Sequence, residues 1–152
     1  MIVVSDSTTL IILSNLSRFD FLQNLFEIVF VPSAVYEEVV TKKTTSLPNF
    51  IKVEEVSNSE TLESLLALLD KGESEAILLA KTKNLPLIID EKKGRKIALN
   101  LNLKIIGLIG VIYLNIKKGF ISKEEAKLFL EEAQKNGYRI SQKLIDDMFE
   151  SL

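Results

Sequence analysis

The sequence predicts an α/β fold in which a mainly parallel sheet is covered by helices. Short aliphatic runs alternate with longer helical patterns along the chain, which is the rhythm of successive βα units. No internal repeat or low-complexity tract interrupts it. At 152 residues the chain is long enough to bury about two-thirds of the surface its unfolded form exposes, so residues 1–152 are expected to form one domain.

Ile2 to Ser5 reads as the first strand. From Ser7 the pattern turns helical, with Leu10, Leu13 and Leu16 forming an apolar stripe. A short helix is expected over 19–25 and a second strand from Phe26 to Val31, ended by Pro32. Ser33 stands where it would cap the next helix, which carries Val35, Val39 and Val40. The polar, proline-containing stretch 41–49 reads as a loop, and Ile51 to Val56 alternates like an edge strand.

Helices over about 60–69 and 73–82 lead to a strand at Leu87 to Ile89. A basic helix follows, then a short strand at Lys104 to Ile106 and a helix near 108–117. Ser122 and Glu125 form the start of a capping box for a helix burying Ala126, Phe129, Leu130 and Ala133. Gly137 closes that helix, and a last amphipathic helix covers about 141–149.

Composition restricts the chemistry before any motif is considered. The chain has no cysteine and no histidine. Thiolate sites, disulfides, Ser-His-Asp catalysis and histidine proton shuttles are therefore excluded. Its net charge is -2, so binding to nucleic acid would have to rest on a local patch. No apolar run approaches the roughly 20 residues that span a bilayer, and no basic segment precedes the first apolar residues. A soluble cytoplasmic protein without a membrane partner is expected.

The carboxylates are the chemistry that remains. Asp6 follows the first strand directly, and Asp90 and Glu91 follow the strand at Leu87 to Ile89. In a parallel sheet both positions lie at the carboxyl edge, where such folds bind ligands. Glu38 borders the buried face of its helix, and Glu73 shares a face with Ala76, Ile77 and Ala80. Each acid also has a plain structural role open to it. Asp6 could cap the helix it precedes, and Glu73, Glu75, Asp90 and Glu91 would favour helix N-termini. Converging carboxylates repel one another unless protonated or bound to a cation. Oxygen-only ligands favour Mg2+ or Mn2+, ions suited to phosphodiester hydrolysis.

Four stretches carry a resemblance over nearly the whole chain: VVSDSTTLIIL, VPSAVYEEVV, LDKGESEAILLAK and LIIDEKKGRKIALNLNLKIIGLIG. Together with GFIS at 119–122 and GYRIS at 137–141 they resemble the PIN-domain nucleases, and within them the small prokaryotic subfamily related to the VapC toxins of toxin-antitoxin pairs. The resemblance implies a three-layer α/β/α domain, a Mg2+ or Mn2+ site made of acids, and endoribonuclease activity. It also implies a homodimer inhibited by an antitoxin. Asp6 and Glu38 match the first two acids. Glu73 or Glu75 supplies the third, with Glu73 preferred from its spacing to Ala80, and Asp90 or Glu91 supplies the fourth.

Two departures are visible. Gly107, Leu108, Ile109 and Gly110 lack the hydroxyl residue common in relatives, and Thr9 stands where a proline is common. A catalytically degenerate module that binds RNA or a protein is the alternative these departures raise. Phosphotransfer domains fit less well: a haloacid-dehalogenase pattern needs an acid where Thr8 stands, and Ile2 to Ser5 lacks the acidic pair of a receiver. Ser7 and Thr8 are expected to donate to Asp6 or to bound water. Lys92, Lys93, Arg95 and Lys96 adjoin the acids and are expected to hold RNA phosphates, Arg95 in a planar bidentate grip.

Overall fold

The computed structural model describes residues 1–42 and 46–152. Among them the order is β1 (Ile2–Ser5), α1 (Ser7–Asn15), α2 (Asp20–Gln23), β2 (Ile28–Val31), α3 (Ser33–Lys42), β3 (Ile51–Val53) and α4 (Glu60–Leu66). Then come α5 (Lys71–Lys83), β4 (Leu87–Ile88), α6 (Lys92–Asn100), β5 (Ile105–Ile106), α7 (Leu108–Lys117), α8 (Lys123–Lys135) and α9 (Gln142–Glu150). The five strands form one fully parallel sheet in the order β3-β2-β1-β4-β5, flanked by helices in a three-layer α/β/α arrangement.

That order contains the feature that positions the site. From β1 the chain adds β2 and β3 on one side, then returns to add β4 and β5 on the other. The carboxyl ends of β1 and β4 therefore lie side by side at the point where the winding reverses, which is where open α/β sheets form their ligand crevice. Ser5 pairs with Ile88, and the Asp6 N–H donates to the Ile88 carbonyl at 2.9 Å. The strands that set this edge are fully buried: Val3, Val4, Leu87 and Ile88 are each 0% exposed. They belong to one continuous apolar cluster reaching Leu130 and Met148 in the C-terminal helices.

Several boundaries differ from the sequence expectation, each for a local reason. Phe26 is not in β2, because its N–H closes a turn onto the Leu22 carbonyl at 2.8 Å. The edge strand β3 stops at Val53, since its only neighbour, β2, ends at Val31 before Pro32 and offers nothing beyond the Glu54 N–H to Val31 bond. Of the expected loop at 41–49, Thr41 and Lys42 belong to α3, 46–49 lie outside helix and strand, and 43–45 lie outside the described residues. Helix α5 starts at Lys71, two residues before its expected start at Glu73, because Asp70 caps it. Ser33 is already inside α3 and is not its cap.

At the C-terminal end the capping box forms by half. The Ser122 hydroxyl accepts the Glu125 N–H at 3.1 Å, while the Glu125 carboxylate turns away to Arg18. Ala126, Phe129, Leu130 and Ala133 are buried as their spacing requires, and Gly137 follows α8 with φ +95, a conformation glycine adopts freely. Among the described residues no helix is long and apolar enough to cross a membrane.

Candidate functional site

Asp6 occupies the N-cap position of α1, yet its side chain makes no capping hydrogen bond. The residue is 3% exposed, and its Oδ1 is buried without a partner. Simple capping is therefore not its role. Burial pushes its carboxyl up to about 7; the Ser7 amide works against that shift, and the charges of Asp70, Glu38 and Asp90 add to it. An oriented, satisfied buried side chain looks different. Asn115, 0% exposed, donates to the Phe21 and Val111 carbonyls and accepts from Asn24.

The structure separates the two glutamates of α5. Glu73 turns toward Asp6, with Oε2 buried and unpartnered, and is pushed up to about 8 by burial, then by the charges of Asp70 and Asp6, a side-chain hydrogen bond with Asp70 and the charge of Glu91. Glu75 faces another helix: its Oε1 accepts the Ala34 N–H at 3.1 Å and so supplies the cap that α3 does not take from Ser33. Glu75→Ala should leave that part-buried amide without its carboxylate acceptor and destabilise the fold by about 1 kcal/mol. A lowered denaturant midpoint would measure the loss, and an unchanged midpoint would remove the capping role.

Glu38 and Asp90 are held from other directions. The Ser7 hydroxyl donates to both Glu38 oxygens, at 2.7 and 3.1 Å. The expected Ser7 bond to Asp6 is thus corrected: on the first turn of α1 its side chain points toward α3. Thr8 lines a small cavity with Asp90, Glu91 and Lys92. Asp90 accepts three hydrogen bonds from protein donors, the Thr9 hydroxyl at 2.7 Å on Oδ2 and the Leu108 N–H and Tyr138 hydroxyl, each at 3.1 Å, on Oδ1. It thereby caps α7, whose own N-cap, Gly107, has no side chain. Glu91, at the N-cap of α6, is exposed and makes no capping bond.

Two glycines let these groups approach. A Cβ at Gly107 would lie 2.8 Å from Arg95 Nη1 and 2.9 Å from Asp90 Oδ1. One at Gly94 would lie 2.7 Å from Ile89 Cδ1 and 2.8 Å from Glu73 Oε2. A Cβ there would displace the ends of Ile89 and Glu73, so glycine lets the first turn of α6 lie against the acids without disturbing them.

The basic cluster is arranged differently from the expectation in one respect. Arg95 already donates from Nη1 to the Ile89 carbonyl at 2.9 Å, which takes part of its fork away from a bidentate phosphate grip. Lys92, Lys93 and Lys96 are exposed. Among the described residues none of these cations forms an ion pair with Asp6, Glu38, Asp70, Glu73, Asp90 or Glu91.

Of the predicted acids, Asp6, Glu38, Glu73, Asp90 and Glu91 come to one region of the sheet edge, and Glu75 is turned away from it. Three participants escaped the sequence reading. Asp70 accepts the Glu73 N–H at 2.8 Å and is the first-ranking repulsive charge on both Asp6 and Glu73. Its three-residue spacing to Glu73 is a capping signal that could have revealed it. Thr9 and Tyr138 reach Asp90 from 81 and 48 residues away, and no local pattern announces either contact.

Among the described residues no group of three or more carboxylates is arranged, as the side chains stand, to hold a metal ion. The chemistry of the donor set nonetheless fits a hard divalent cation. Two buried carboxylate oxygens lack partners, further acids surround them, and among the described residues no lysine or arginine forms an ion pair with them. The fit lies in the supply of oxygen donors, not in a finished coordination shell.

Comparison with known proteins places this geometry in context. The model of the family DUF3368, described as a PIN domain, matches residues 2–152. No curated protein matches the chain. Among solved structures it is similar to a PilT N-terminus domain protein from the hyperthermophilic archaeon Sulfolobus solfataricus P2. That match has 16% identity and a TM-score of 0.49, and covers 73% of this chain and 90% of that one.

Proposed function

The chain belongs to the PIN-domain family, whose members are generally nucleases and typically bind divalent metals, and from that premise we propose that it is a Mg2+- or Mn2+-dependent endoribonuclease, the toxin of a toxin-antitoxin pair. The observation that carries this reading is the buried pair Asp6 and Glu73, each with an unpartnered oxygen, at the reversal point of the sheet. Two carboxylates raised to about 7 and about 8 by burial and mutual repulsion are costly in a folded chain. A divalent ion removes that cost, and neither carboxylate has an evident structural use without one.

In this reading Asp6, Glu73 and Glu38 would hold the ion, with Asp70 and Glu91 adding negative charge at the rim. When bound, such an ion lowers the pKa of an attacking water and stabilises charge on the phosphate. The remaining work falls to the chain. Ser7 fixes the Glu38 carboxylate, and Thr9, Tyr138 and the Leu108 amide fix Asp90 so that it can orient water or a ligand without moving. Lys92, Lys93 and Lys96 draw RNA phosphates toward the acids, assisted by the uncommitted nitrogens of Arg95. Binding should therefore weaken steeply with salt. We read residues 1–152 as one domain, acting in the cytoplasm as a homodimer restrained by an antitoxin; the continuous apolar cluster supports the first of these.

One observation favours a second reading. Asp90 has both oxygens hydrogen-bonded and, among the described residues, no three acids stand ready around an ion, as in a domain that binds RNA or a protein without cleaving it. End-labelled RNA incubated with the purified chain separates the two. The nuclease reading expects fragments with Mn2+ or Mg2+ and none in excess chelator. Intact RNA under every divalent ion, with binding retained, would replace it with the second reading.

A further inference from the structure

A cavity of about 420 Å³ lies between α1, the start of α6 and the turn joining α8 to α9, within the roughly 300–1,000 Å³ common for small-ligand sites. Asp90 and Glu91 form the end that adjoins the acidic centre, and the other walls divide by chemistry. Lys92 and Arg139 supply two cations, both exposed and, among the described residues, in no ion pair. Thr8, Asn136 and Gly137 supply uncharged polar groups. Asn136 spends its Nδ2 on the Glu132 carbonyl at 2.8 Å, so Oδ1 is its remaining acceptor, and a Cβ at Gly137 would meet nothing within 4 Å, so the turn presents bare backbone there.

The turn is held firmly against the acids. Tyr138 is 8% exposed, its N–H donates to the Ala133 carbonyl at 3.0 Å and its hydroxyl to Asp90. Asn136 and Arg139, on either side of it in the chain, are thereby set in register with the acidic centre.

We propose that this cavity is a base-selective subsite for one nucleotide of the RNA, the one next to the phosphodiester at the acids. Lys92 and Arg139 meet its phosphate, and Thr8, Asn136 and the Gly137 backbone meet the edges of its base. A free phosphate would use the two cations and leave the uncharged wall idle; a nucleotide uses both. Stacking on aromatic rings tolerates any base, because every base has a π-face. Tyr138, the one aromatic residue in the lining, is buried and tied to Asp90, so the base has to be held by its edges, which differ among the four. Only the placement of this nucleotide beside a cleaved bond rests on the nuclease reading.

Titrating the 15N-labelled chain with each of the four ribonucleoside 5′-monophosphates, and with ribose 5-phosphate, in buffer with and without Mg2+, tests the proposal. At least one nucleotide should give saturable amide shifts at Thr8, Gly137 and Arg139, with ribose 5-phosphate at least about tenfold weaker. Arg139→Gln should weaken all four nucleotides at least about threefold, whereas Asn136→Ala should level the ranking among them. Both side chains are exposed, and the same spectra report whether the variants fold. No saturable shift in either buffer, ribose 5-phosphate bound as tightly, four nucleotides bound alike, or a ranking that survives Asn136→Ala would overturn the subsite. Cleavage is scored separately on end-labelled RNA. A chain that binds the nucleotide and leaves RNA intact keeps the subsite and loses the nuclease reading, while one that cleaves without these shifts keeps the nuclease and loses the subsite.

Discussion

Asp6→Asn should lower metal-dependent RNA cleavage at least about 100-fold, equivalent to about 3 kcal/mol of lost transition-state stabilisation, while the fold survives. The substitution keeps the shape and removes the charge. Little structural depends on that charge, since the side chain caps no helix, Oδ1 has no partner, and the Ser7 amide can still be accepted by the asparagine oxygen. Removing it also relieves repulsion with Asp70, Glu38 and Asp90, so the variant should unfold no earlier than the parent in metal-free buffer near neutral pH. Initial rates with Mn2+ and a thermal melt of the same preparation measure both effects. A variant that cleaves like the parent would show that the acidic centre is not the seat of the reaction. The Glu75→Ala change gives the contrasting result, a loss of stability whose origin lies at Ala34 rather than at the ion.

That contrast also marks where sequence reading succeeds and where it stops. Strand ends and helix faces follow from patterns a few residues long. Asp6 and Asp90 could be placed at the same sheet edge because each follows a buried aliphatic run, and Ala126, Phe129, Leu130 and Ala133 could be placed on one face by spacing alone. The preference for Glu73 over Glu75 comes from its spacing to Ala80, but that spacing does not say what either side chain meets. Both are buried, at 8% and 7% exposure, and what distinguishes them is which of two neighbours, the β1 end or the first turn of α3, each meets in space.

The network around Asp90 was illegible for the same reason. A hydroxyl in α1, an amide opening α7 and a tyrosine after α8 converge on one carboxylate, and only the folded topology brings them together. Gly107, noted in the sequence for the hydroxyl missing beside it, proves instead to mark a close approach of Asp90 and Arg95. Asp70 is the exception, a functional neighbour with a local signal. It caps α5 by accepting the Glu73 N–H, while the inward direction of Glu73 follows from the face it shares with the buried Ala76, Ile77 and Ala80.

The raised carboxyls have a consequence for stability that is measurable without any substrate. Asp6 moves from 3.8 to about 7 and Glu73 from 4.5 to about 8 on folding. Between those limits the folded chain retains protons that the unfolded chain has released, so stability falls as pH rises. The contribution is fully present below about pH 4, where both states are protonated, and is lost by the time pH has risen through about 8. Melting temperatures of the metal-free chain should accordingly decline from about pH 5 to about pH 8, with a slope of at most about 1.4 kcal/mol per pH unit for each proton involved. On the proposed reading Mg2+ binds the ionised pair, so it should raise the melting temperature at about pH 8 and do little at about pH 5, where protons occupy the same oxygens. Glu73→Gln should flatten the upper part of the decline, and Asp6→Asn the lower. A melting temperature that stays level across this range, or a Mg2+ effect equal at both ends, would mean that the two carboxylates are neither desolvated nor free for a cation. The acidic centre would then lose its physical basis.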